Sequence, residues 1–384
     1  FDLLFTESIF RPSLGFSHAY KVPVIEFSSF GGQHGGYENI GAVTHPLLYP
    51  ISAQQRVHNL TFLERVSELF KKFYIDYQYY KLEESETKML RRIFGSSMPD
   101  LNELRRNVKM LFLNVHPLWD LNRPTPPSVI YLGGLHKKPQ AELPQDIKSY
   151  LDTSKNGVIY VSFGTNMRPS LFPKDKLKVF TKVFSELPYD ILWKWDVLDY
   201  PDCPKNVKIS TWFPQSDLLR HPKIKLFITQ AGLQSTDEAI TAGVPLIGLP
   251  MLWDQWFNVE LYEIHDIGIK INFETLTEDK LKNAVYNILG DQRYKNNIKK
   301  LRNIISDQIQ SPMERAVWWT EHVLRTGGDH LRTPAANMPL TEYYQLDIIL
   351  LCAGVAFFSS MLLVLIIRYI YSKIGRIHIK IKTK

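Results

Sequence analysis

Short apolar runs alternate with amphipathic stretches between about residues 128 and 310. In the amphipathic stretches, apolar residues recur three and four positions apart, which predicts helices. Alternating strands and helices are typical of a parallel, doubly wound sheet. Such a sheet binds ligands beyond the carboxyl ends of its strands. The predicted strands cover residues 158–164, 191–193, 207–209, 225–229 and 244–249.

The first 127 residues mix both kinds of pattern. Residues 22–27 and 110–113 are strand-like, whereas residues 62–77 have the spacing of a helix. We expect the apolar face of that helix to pack on the core; the alternative is that it lies on a membrane surface. The proline-rich residues 123–127 are typical of a linker or a domain edge. The apolar face of the predicted helix is formed by Phe62, Val66, Leu69, Phe70, Phe73 and Tyr77.

An uncharged run of twenty residues, 348–367, lies between Asp347 and Arg368. As a helix that rises about 1.5 Å per residue, it matches the roughly 30 Å hydrocarbon core of a bilayer. A core helix rarely stays uncharged over this length and then ends in a basic tail, so we predict a transmembrane helix. The 384 residues are enough for about two domains and additional segments. The predicted segments are 1–127, 128–310, 311–346, 347–367 and 368–384.

Positive charge is concentrated at the end of the chain. Six of the seven net charges at pH 7 come from residues 368–384, which contain no acidic residue, so the folded part lacks the basic surface of a nucleic-acid-binding protein. Basic residues favour the cytoplasmic side, which predicts a type I protein with residues 1–346 lumenal or extracellular. Asn59 begins a glycosylation sequon on that side. Lys380 and Lys382 resemble a dilysine signal for retrieval to the endoplasmic reticulum; the alternative is a tail that binds anionic lipid.

The candidate chemistry lies between Trp212 and Asn258. Trp212 follows a predicted strand, where an aromatic ring can stack on a nucleobase. Gln215 can pair with a pyrimidine edge or a ribose hydroxyl. The alternative for these two residues is a core aromatic and a helix cap.

Small residues occupy the turn between a predicted strand and a helix that begins near Gln234. Gln230, Ala231 and Gly232 would let a diphosphate approach the backbone N–H groups at the positive end of that helix. Glu238, one turn further on, can accept hydrogen bonds from ribose hydroxyls; an exposed helix acid is the alternative. After the strand at 158–163, Gly164 and Thr165 offer a second phosphate contact, although many such turns look alike.

A carboxylate and an amide, Asp254 and Gln255, follow the next predicted strand and suit the adjacent hydroxyls of a sugar. The chain contains no Asp-x-Asp pair, which argues against a metal-dependent transferase, and we expect neither a metal nor a cofactor. It also lacks the Gly-x-Gly-x-x-Gly turn of a dinucleotide site, which disfavours a nucleoside-binding oxidoreductase.

Together these motifs resemble the signature of the UDP-glycosyltransferases, the membrane-bound group that includes the UDP-glucuronosyltransferases, and the chain looks most like invertebrate members. The resemblance implies a GT-B fold: two Rossmann-like domains, the first incomplete here, for acceptor and UDP-sugar. It implies inverting, metal-independent transfer and a tendency to form homo-oligomers. Trp212 would stack on uracil and Gln215 and Glu238 would hold the uridine. The other implied donor contacts are Thr165, Gln230, Gly232, Gln234 and Ser235 at the diphosphate, and Asp254 and Gln255 at the sugar.

The family places a histidine base near the N-terminus, oriented by an acid. The stretch Phe1 to Glu7 resembles the segment that bears this acid, which puts Glu7 there. We expect the base, with a signal peptide, to belong to residues that precede Phe1, because His18, His34 and His45 do not match its motif. At position 230 the family often has histidine, whereas this chain has glutamine, which offers less to a leaving diphosphate.

These features predict an endoplasmic-reticulum glycosyltransferase, and a glycoprotein, that transfers a hexose from a UDP-sugar to a hydroxyl of a small lipophilic acceptor, as in detoxification. UDP-glucose is the favoured donor and UDP-glucuronate the alternative. The glutamine at position 230 is also compatible with a different class of protein. That alternative is an inactive paralogue that binds a UDP-sugar or a partner enzyme and catalyses no transfer.

Overall fold

The computed structural model describes residues 1–197, 199–200, 203–336 and 338–382, and the side chains of 340 and of 374–382 are not described. The lysines of the predicted retrieval signal therefore lie outside the described side chains. The chain divides into two compact units, Phe1–Thr333 and Pro334–Lys384.

Ten strands lie in the described part of the chain. They are β1 (Leu4–Glu7), β2 (Val24–Ser28), β3 (Val108–Leu113), β4 (Val129–Tyr131), β5 (Val158–Ser162), β6 (Asp190–Lys194), β7 (Val207–Ser210), β8 (Ile224–Thr229), β9 (Leu246–Gly248) and β10 (Gly268–Lys270). The helices are α1 (Leu14–Tyr20), α2 (Gly36–Ile40), α3 (Phe62–Phe94), α4 (Leu101–Leu104), α5 (Gln145–Thr153), α6 (Lys174–Glu186), α7 (Gln215–Leu219), α8 (Leu233–Ala242), α9 (Gln255–Ile264), α10 (Glu278–Gly290), α11 (Gln292–Ser306), α12 (Pro312–Thr326), α13 (Leu340–Tyr343) and α14 (Leu346–Lys382).

The first sheet is parallel, in the order β1-β2-β3-β4. Its last strand, β4, lies just beyond the predicted boundary between residues 127 and 128. The proline-rich segment 123–127 therefore joins two strands of one sheet instead of linking two domains. It is also anchored: the buried Arg123 pairs with Asp120 and donates to the carbonyl of Pro50.

The second sheet is also parallel, in the order β10-β9-β8-β5-β6-β7. The chain runs outward from β5 in one direction and from β8 in the other, so these two neighbours form the topological switch point. Polar groups at the carboxyl ends of β5 and β8 are therefore brought together at the place where such sheets bind ligands.

Helix α12 returns to the first sheet after the second is complete. Val323 is fully buried in the cluster that contains Met110 and Phe112. The Arg315 side chain donates to the carbonyl of Tyr131 at 3.0 Å. The segment predicted as a C-terminal helix thus helps to close the core of the first sheet.

The expectation that the apolar face of α3 packs on the core is wrong. Phe62, Phe70, Phe73 and Tyr77 are exposed, because the charged side of the helix faces the fold instead. The ion pairs of that side hold the helix in place, and Arg11 is the partner of both Glu83 and Glu86.

The second unit contains α13 and α14. In the part of the chain that is described, Leu346–Lys373 is the one helical stretch long and apolar enough to cross a membrane. Helix α14 does not end near residue 367, where the predicted span ends, but continues to Lys382. The predicted transmembrane segment therefore falls within this apolar helix, but the sequence pattern did not mark the end of the helix.

Candidate functional site

The turns after β5 and β8 meet at the switch point. Gly164 has φ +73°, and a Cβ built on it would lie 2.2 Å from Nε2 of Gln230. Thr165 follows on the exposed side of the same turn. The glycine therefore allows the Gln230 amide to lie directly against the β5 turn. Gln230 is largely buried, and its Oε1 has no hydrogen-bond partner within the described structure.

Helix α8 begins at Leu233, one residue before the predicted start, and Gly232 is its N-cap without a side-chain cap. The preceding Ala231 has φ +69°, a left-handed conformation that favours glycine. The N–H of Leu233 is bound by Asp254, whereas the N–H groups of Gln234 and Ser235, in the first turn, have no partner within the helix. The turn thus presents backbone donors and a positive helix end to an anion.

Four polar side chains converge beside the first turn of α8. Nε2 of Gln215 donates to Glu238 at 2.7 Å and to Ser235 at 2.9 Å. Its Oε1 accepts from the hydroxyl of the buried Tyr160 at 3.1 Å. Hydrogen bonds therefore hold both the oxygen and the nitrogen of the Gln215 side-chain amide. The predicted uridine-binding residues Gln215 and Glu238 are in direct contact.

Trp212 lies between β7 and α7, with its ring exposed. The Nζ atom of Lys194 lies 5.0 Å from the ring centroid, and burial lowers the pKa of this lysine. Nζ also donates to the carbonyl of Gly164 at 3.0 Å. Lys194 thus joins the exposed aromatic ring to the β5 turn, so both face the same part of the sheet.

Asp254 is buried and serves two segments at once. Its Oδ2 accepts from the N–H of Leu233 at 3.2 Å and from Nδ2 of Asn258 at 2.9 Å. Burial raises the pKa of the carboxyl. Asn258 also donates to the carbonyl of Ala231 at 2.8 Å and accepts from Nε1 of Trp119 at 2.8 Å. This arrangement fixes the α8 turn against α9.

Gln255 holds the loop after β9. Its Oε1 accepts from the N–H groups of Met251 and Leu252 at 2.8 and 2.9 Å. The amide oxygen is therefore occupied, and the NH₂ group is the part of Gln255 that remains for a sugar. The neighbouring Trp253 is exposed and has φ +47°.

Glu7 is at the carboxyl end of β1. Its Oε1 is buried without a hydrogen-bond partner in the described part of the chain, and burial raises the pKa of the carboxyl. Among the histidines considered, His34 pairs with Asp76 at 3.2 Å. His45 accepts from two backbone N–H groups through Nδ1, and His18 is exposed on α1. Among the described residues, none of these three histidines forms a hydrogen bond or an ion pair with Glu7.

Sequence reasoning missed Tyr160, Lys194 and Trp119. Tyr160 and Lys194 lie inside strands, where a polar atom at the end of a long side chain gives no separate signal. Asn258 was part of the recognised stretch but received no role. Asn59, the sequon residue, is exposed in the loop before α3, and Thr61 of the same sequon caps that helix.

We expect Gly164→Ala to destabilise the fold by about 1–2 kcal/mol, because an L-residue is disfavoured in the left-handed region. The new methyl group also displaces the Gln230 amide. Chemical unfolding of the full chain in detergent measures the loss. Gly290→Ala is the matched control, because Gly290 ends α10 with open space around it; it should be neutral or slightly stabilising. Equal effects of the two substitutions would contradict the role of Gly164.

Comparison with known proteins gives a consistent result. The model of the family "UDP-glucoronosyl and UDP-glucosyl transferase" matches residues 1–381. An ecdysteroid UDP-glucosyltransferase of Spodoptera littoralis nuclear polyhedrosis virus is 40% identical over 361 residues, which are 91% of this chain and 70% of that protein. UDP-glucuronosyltransferase 2B14 of Oryctolagus cuniculus is 29% identical over 383 residues, 98% of this chain and 71% of that protein.

Among solved structures, UDP-glucose: anthocyanidin 3-O-glucosyltransferase in complex with UDP superposes with a TM-score of 0.59. The two share 16% sequence identity, and the match covers 85% of this chain and 76% of the other. Spinosyn forosaminyltransferase SpnP gives a TM-score of 0.61 at 16% identity, over 84% of this chain and 76% of the other. These likenesses identify the fold as GT-B.

Proposed function

This chain belongs to the UDP-glucoronosyl and UDP-glucosyl transferase family, and we propose that it transfers a hexose from a UDP-sugar to a hydroxyl of a small lipophilic acceptor. One observation carries the donor assignment. The exposed ring of Trp212, the bonded pair Gln215 and Glu238, and the open N-terminus of α8 lie around one end of the sheet. They suit a flat base, a ribose and a diphosphate in that order.

The favoured donor is UDP-glucose. The viral relative is named an ecdysteroid UDP-glucosyltransferase, so a steroid alcohol is the first acceptor to test. A relative named a UDP-glucuronosyltransferase keeps UDP-glucuronate as the alternative donor.

The proposed reaction is a single displacement without metal or cofactor. A base removes the proton of the acceptor hydroxyl, the oxygen attacks the anomeric carbon, and the bond to the diphosphate breaks with inversion. In the donor site, the backbone N–H groups at the start of α8 and the neutral amide of Gln230 would stabilise the negative charge on the departing diphosphate through hydrogen bonds. The buried, unpartnered Oε1 of Glu7 supports a role in accepting a hydrogen bond from a histidine base.

The proposed location is the endoplasmic-reticulum membrane. Helix α14 would span the bilayer, with the basic tail cytosolic and residues 1–346 lumenal. The exposed Asn59 would then be available for glycosylation. Whether copies associate, as the family resemblance implies, is decided by the mass of the detergent-solubilised chain.

Trp212→Ala tests the base contact. Stacking on a base contributes about 1–3 kcal/mol, so calorimetric titration with UDP should show binding weakened by about 5- to 150-fold. The fold should not change, because the side chain is exposed. Trp318→Ala removes a half-exposed tryptophan from α12 and should leave UDP affinity unchanged. Unaltered UDP binding by Trp212→Ala would remove this residue from the site.

A second function, donor binding without transfer, is favoured by Gln230. An assay of microsomes that contain the natural protein distinguishes binding alone from transfer. The microsomes are supplied with UDP-glucose and a steroid alcohol, and glucosylated product is measured. Glucosylated product rules it out. Calorimetric binding of UDP-glucose without product from any hydroxylated acceptor would establish it, and preference for ADP-glucose over both UDP-sugars would overturn the donor assignment itself.

A further inference from the structure

A cavity of about 350 Å³ lies between helix α3 and the loop that connects α2 to α3. Residues 42–58 of that loop are named the wall loop. Its residues Pro46, Ile51 and Ala53 contribute apolar surface to the cavity, and Ile75 does so from α3. This volume and lining are typical of a site for one small apolar molecule. None of the candidate donor residues lines the cavity, so it is a separate site.

One buried nitrogen in the residues that line this cavity lacks a hydrogen-bond partner. The side chain of His34 is 9% exposed, and its Nε2 lies 3.2 Å from the carboxylate of Asp76. Burial lowers the pKa of the imidazole, so the ring is neutral at pH 7, and the carboxylate favours the tautomer with hydrogen on Nε2. Nδ1 is then an acceptor, and no group in the described part of the chain donates to it. A ligand hydroxyl would supply the missing donor.

The first part of the wall loop is fixed to the domain of the first sheet. The guanidinium of Arg123 donates to the carbonyls of Val43 and Pro50 at 2.9 and 2.8 Å. Nε2 of Gln33 donates to the hydroxyl of Ser52 at 2.8 Å. These contacts are largely buried, so residues 43–52 keep their place relative to the first sheet.

The end of the wall loop is bound to the domain of the second sheet. Glu260 on α9 is buried, and its Oε2 accepts from the backbone N–H of Val57 at 3.2 Å. Nδ1 of His58 lies 2.8 Å from the same oxygen, an ion-pair distance without hydrogen-bond alignment. The other oxygen, Oε1, accepts from Nζ of Lys270 at 2.6 Å, which fixes the direction of the carboxylate. Because Glu260 is buried, these groups replace the water that a carboxylate otherwise binds.

Residues 53–56 of the wall loop lie between these two anchors. Three of them, Ala53, Gln54 and Gln55, line the cavity. Their place is therefore set from one side by the first sheet and from the other by helix α9. The same helix begins with Gln255, a candidate sugar contact. The shape of the cavity thus depends on a helix of the donor-binding domain.

We propose that Glu260, in the donor-binding domain, is a positioning residue for the acceptor. By fastening Val57 and His58 it holds the wall loop against α9, and the loop keeps the cavity in the shape that receives the apolar body of a hydroxylated acceptor. A hydroxyl of that acceptor donates to Nδ1 of His34. The inference rests on the proposed function, because it takes the acceptor as the ligand of the cavity, but binding of that ligand is measurable without transfer.

Equilibrium dialysis of ecdysone, a steroid alcohol, against the full chain in detergent tests the role of Glu260. We expect Glu260→Gln and His58→Leu each to weaken ecdysone binding about 3- to 10-fold, the equivalent of one hydrogen bond. The affinity for UDP, measured by calorimetry, should stay unchanged and reports folding. His58→Asn keeps a nitrogen donor near the position of Nδ1 and should retain most of the ecdysone affinity. Glu274→Gln makes the matched change at an exposed position after β10 and should affect neither ligand.

Hydrogen exchange locates the effect on the chain. Residues 53–58 should exchange faster in Glu260→Gln and His58→Leu than in the natural protein, whereas residues 43–52, anchored to the first sheet, should not change. Equal exchange of residues 53–58 in all three proteins would overturn the anchor. Equal losses of ecdysone and UDP affinity would also overturn the positioning role, because Glu260 would then only stabilise the contact between the domains.

A cavity-filling variant tests the place of the ligand. Ile75→Trp enlarges a side chain that lines the cavity and should weaken ecdysone binding while UDP affinity is kept. Unaltered ecdysone binding by this variant, or no ecdysone binding by the natural protein, would overturn the inference. Ecdysone binding without glucosylated product would support the inference and contradict the proposed transfer, so the two failures are distinguishable.

Discussion

Replacing Asp254 by alanine should weaken the binding of UDP-glucose by about 10- to 150-fold, the equivalent of a hydrogen bond to a charged group. The hydrogen bonds from Leu233 and Asn258 both use Oδ2, so we assign the sugar hydroxyl to Oδ1. UDP lacks the sugar and should lose little affinity. Calorimetric titration of the full chain in detergent with both ligands measures the difference.

Two variants separate the sugar contact from the structural role of Asp254. Asp254→Asn can still accept from the N–H of Leu233, so it should retain UDP affinity and lose part of the preference for UDP-glucose. Asp279→Ala removes an exposed carboxylate at the start of α10 and should change neither. If Asp254→Ala weakens UDP and UDP-glucose equally, the residue acts only by holding the turn before α8, and the sugar assignment is wrong.

Much of the second sheet was predictable because its physical basis is local. Parallel strands buried on both faces are continuous apolar runs, and every strand predicted there is present. The family signature singled out candidate donor residues, and the structure brings three of them, Gln215, Ser235 and Glu238, into contact. The predicted start of α8 differed by one residue, since the N-cap is Gly232, which offers no side-chain signal.

Other features depend on contacts that periodicity does not encode. The pattern of α3 identifies an apolar face but not the medium that covers it, and the inward ion pairs with Arg11 and His34 come from distant residues. The packing of α12 against the first sheet likewise depends on contacts between residues far apart in the sequence. The left-handed conformation of Ala231 is not predictable from a residue that rarely adopts it.

Asn258→Ala should be the most destabilising of these substitutions, at about 3 kcal/mol. The variant leaves the Trp119 N–H and the Ala231 carbonyl without their partner in a buried site, and each unsatisfied group costs about 1–3 kcal/mol. In thermal unfolding of the full chain in detergent, this corresponds to a midpoint about 4 °C lower. Asn283→Ala makes the same change at an exposed position of α10 and should be nearly neutral.

A double-mutant cycle with Trp119→Phe tests the cause of that loss. Phenylalanine keeps the ring but removes the N–H that Asn258 accepts, so its cost should be smaller in the Asn258→Ala background than in the natural protein. Trp119 lies between β3 and β4 of the first sheet and Asn258 belongs to α9, so this coupling measures how firmly the two parts of the enzyme are joined. Additive effects would mean that the hydrogen bond contributes nothing, and the loss would then come from the turn at Ala231 alone.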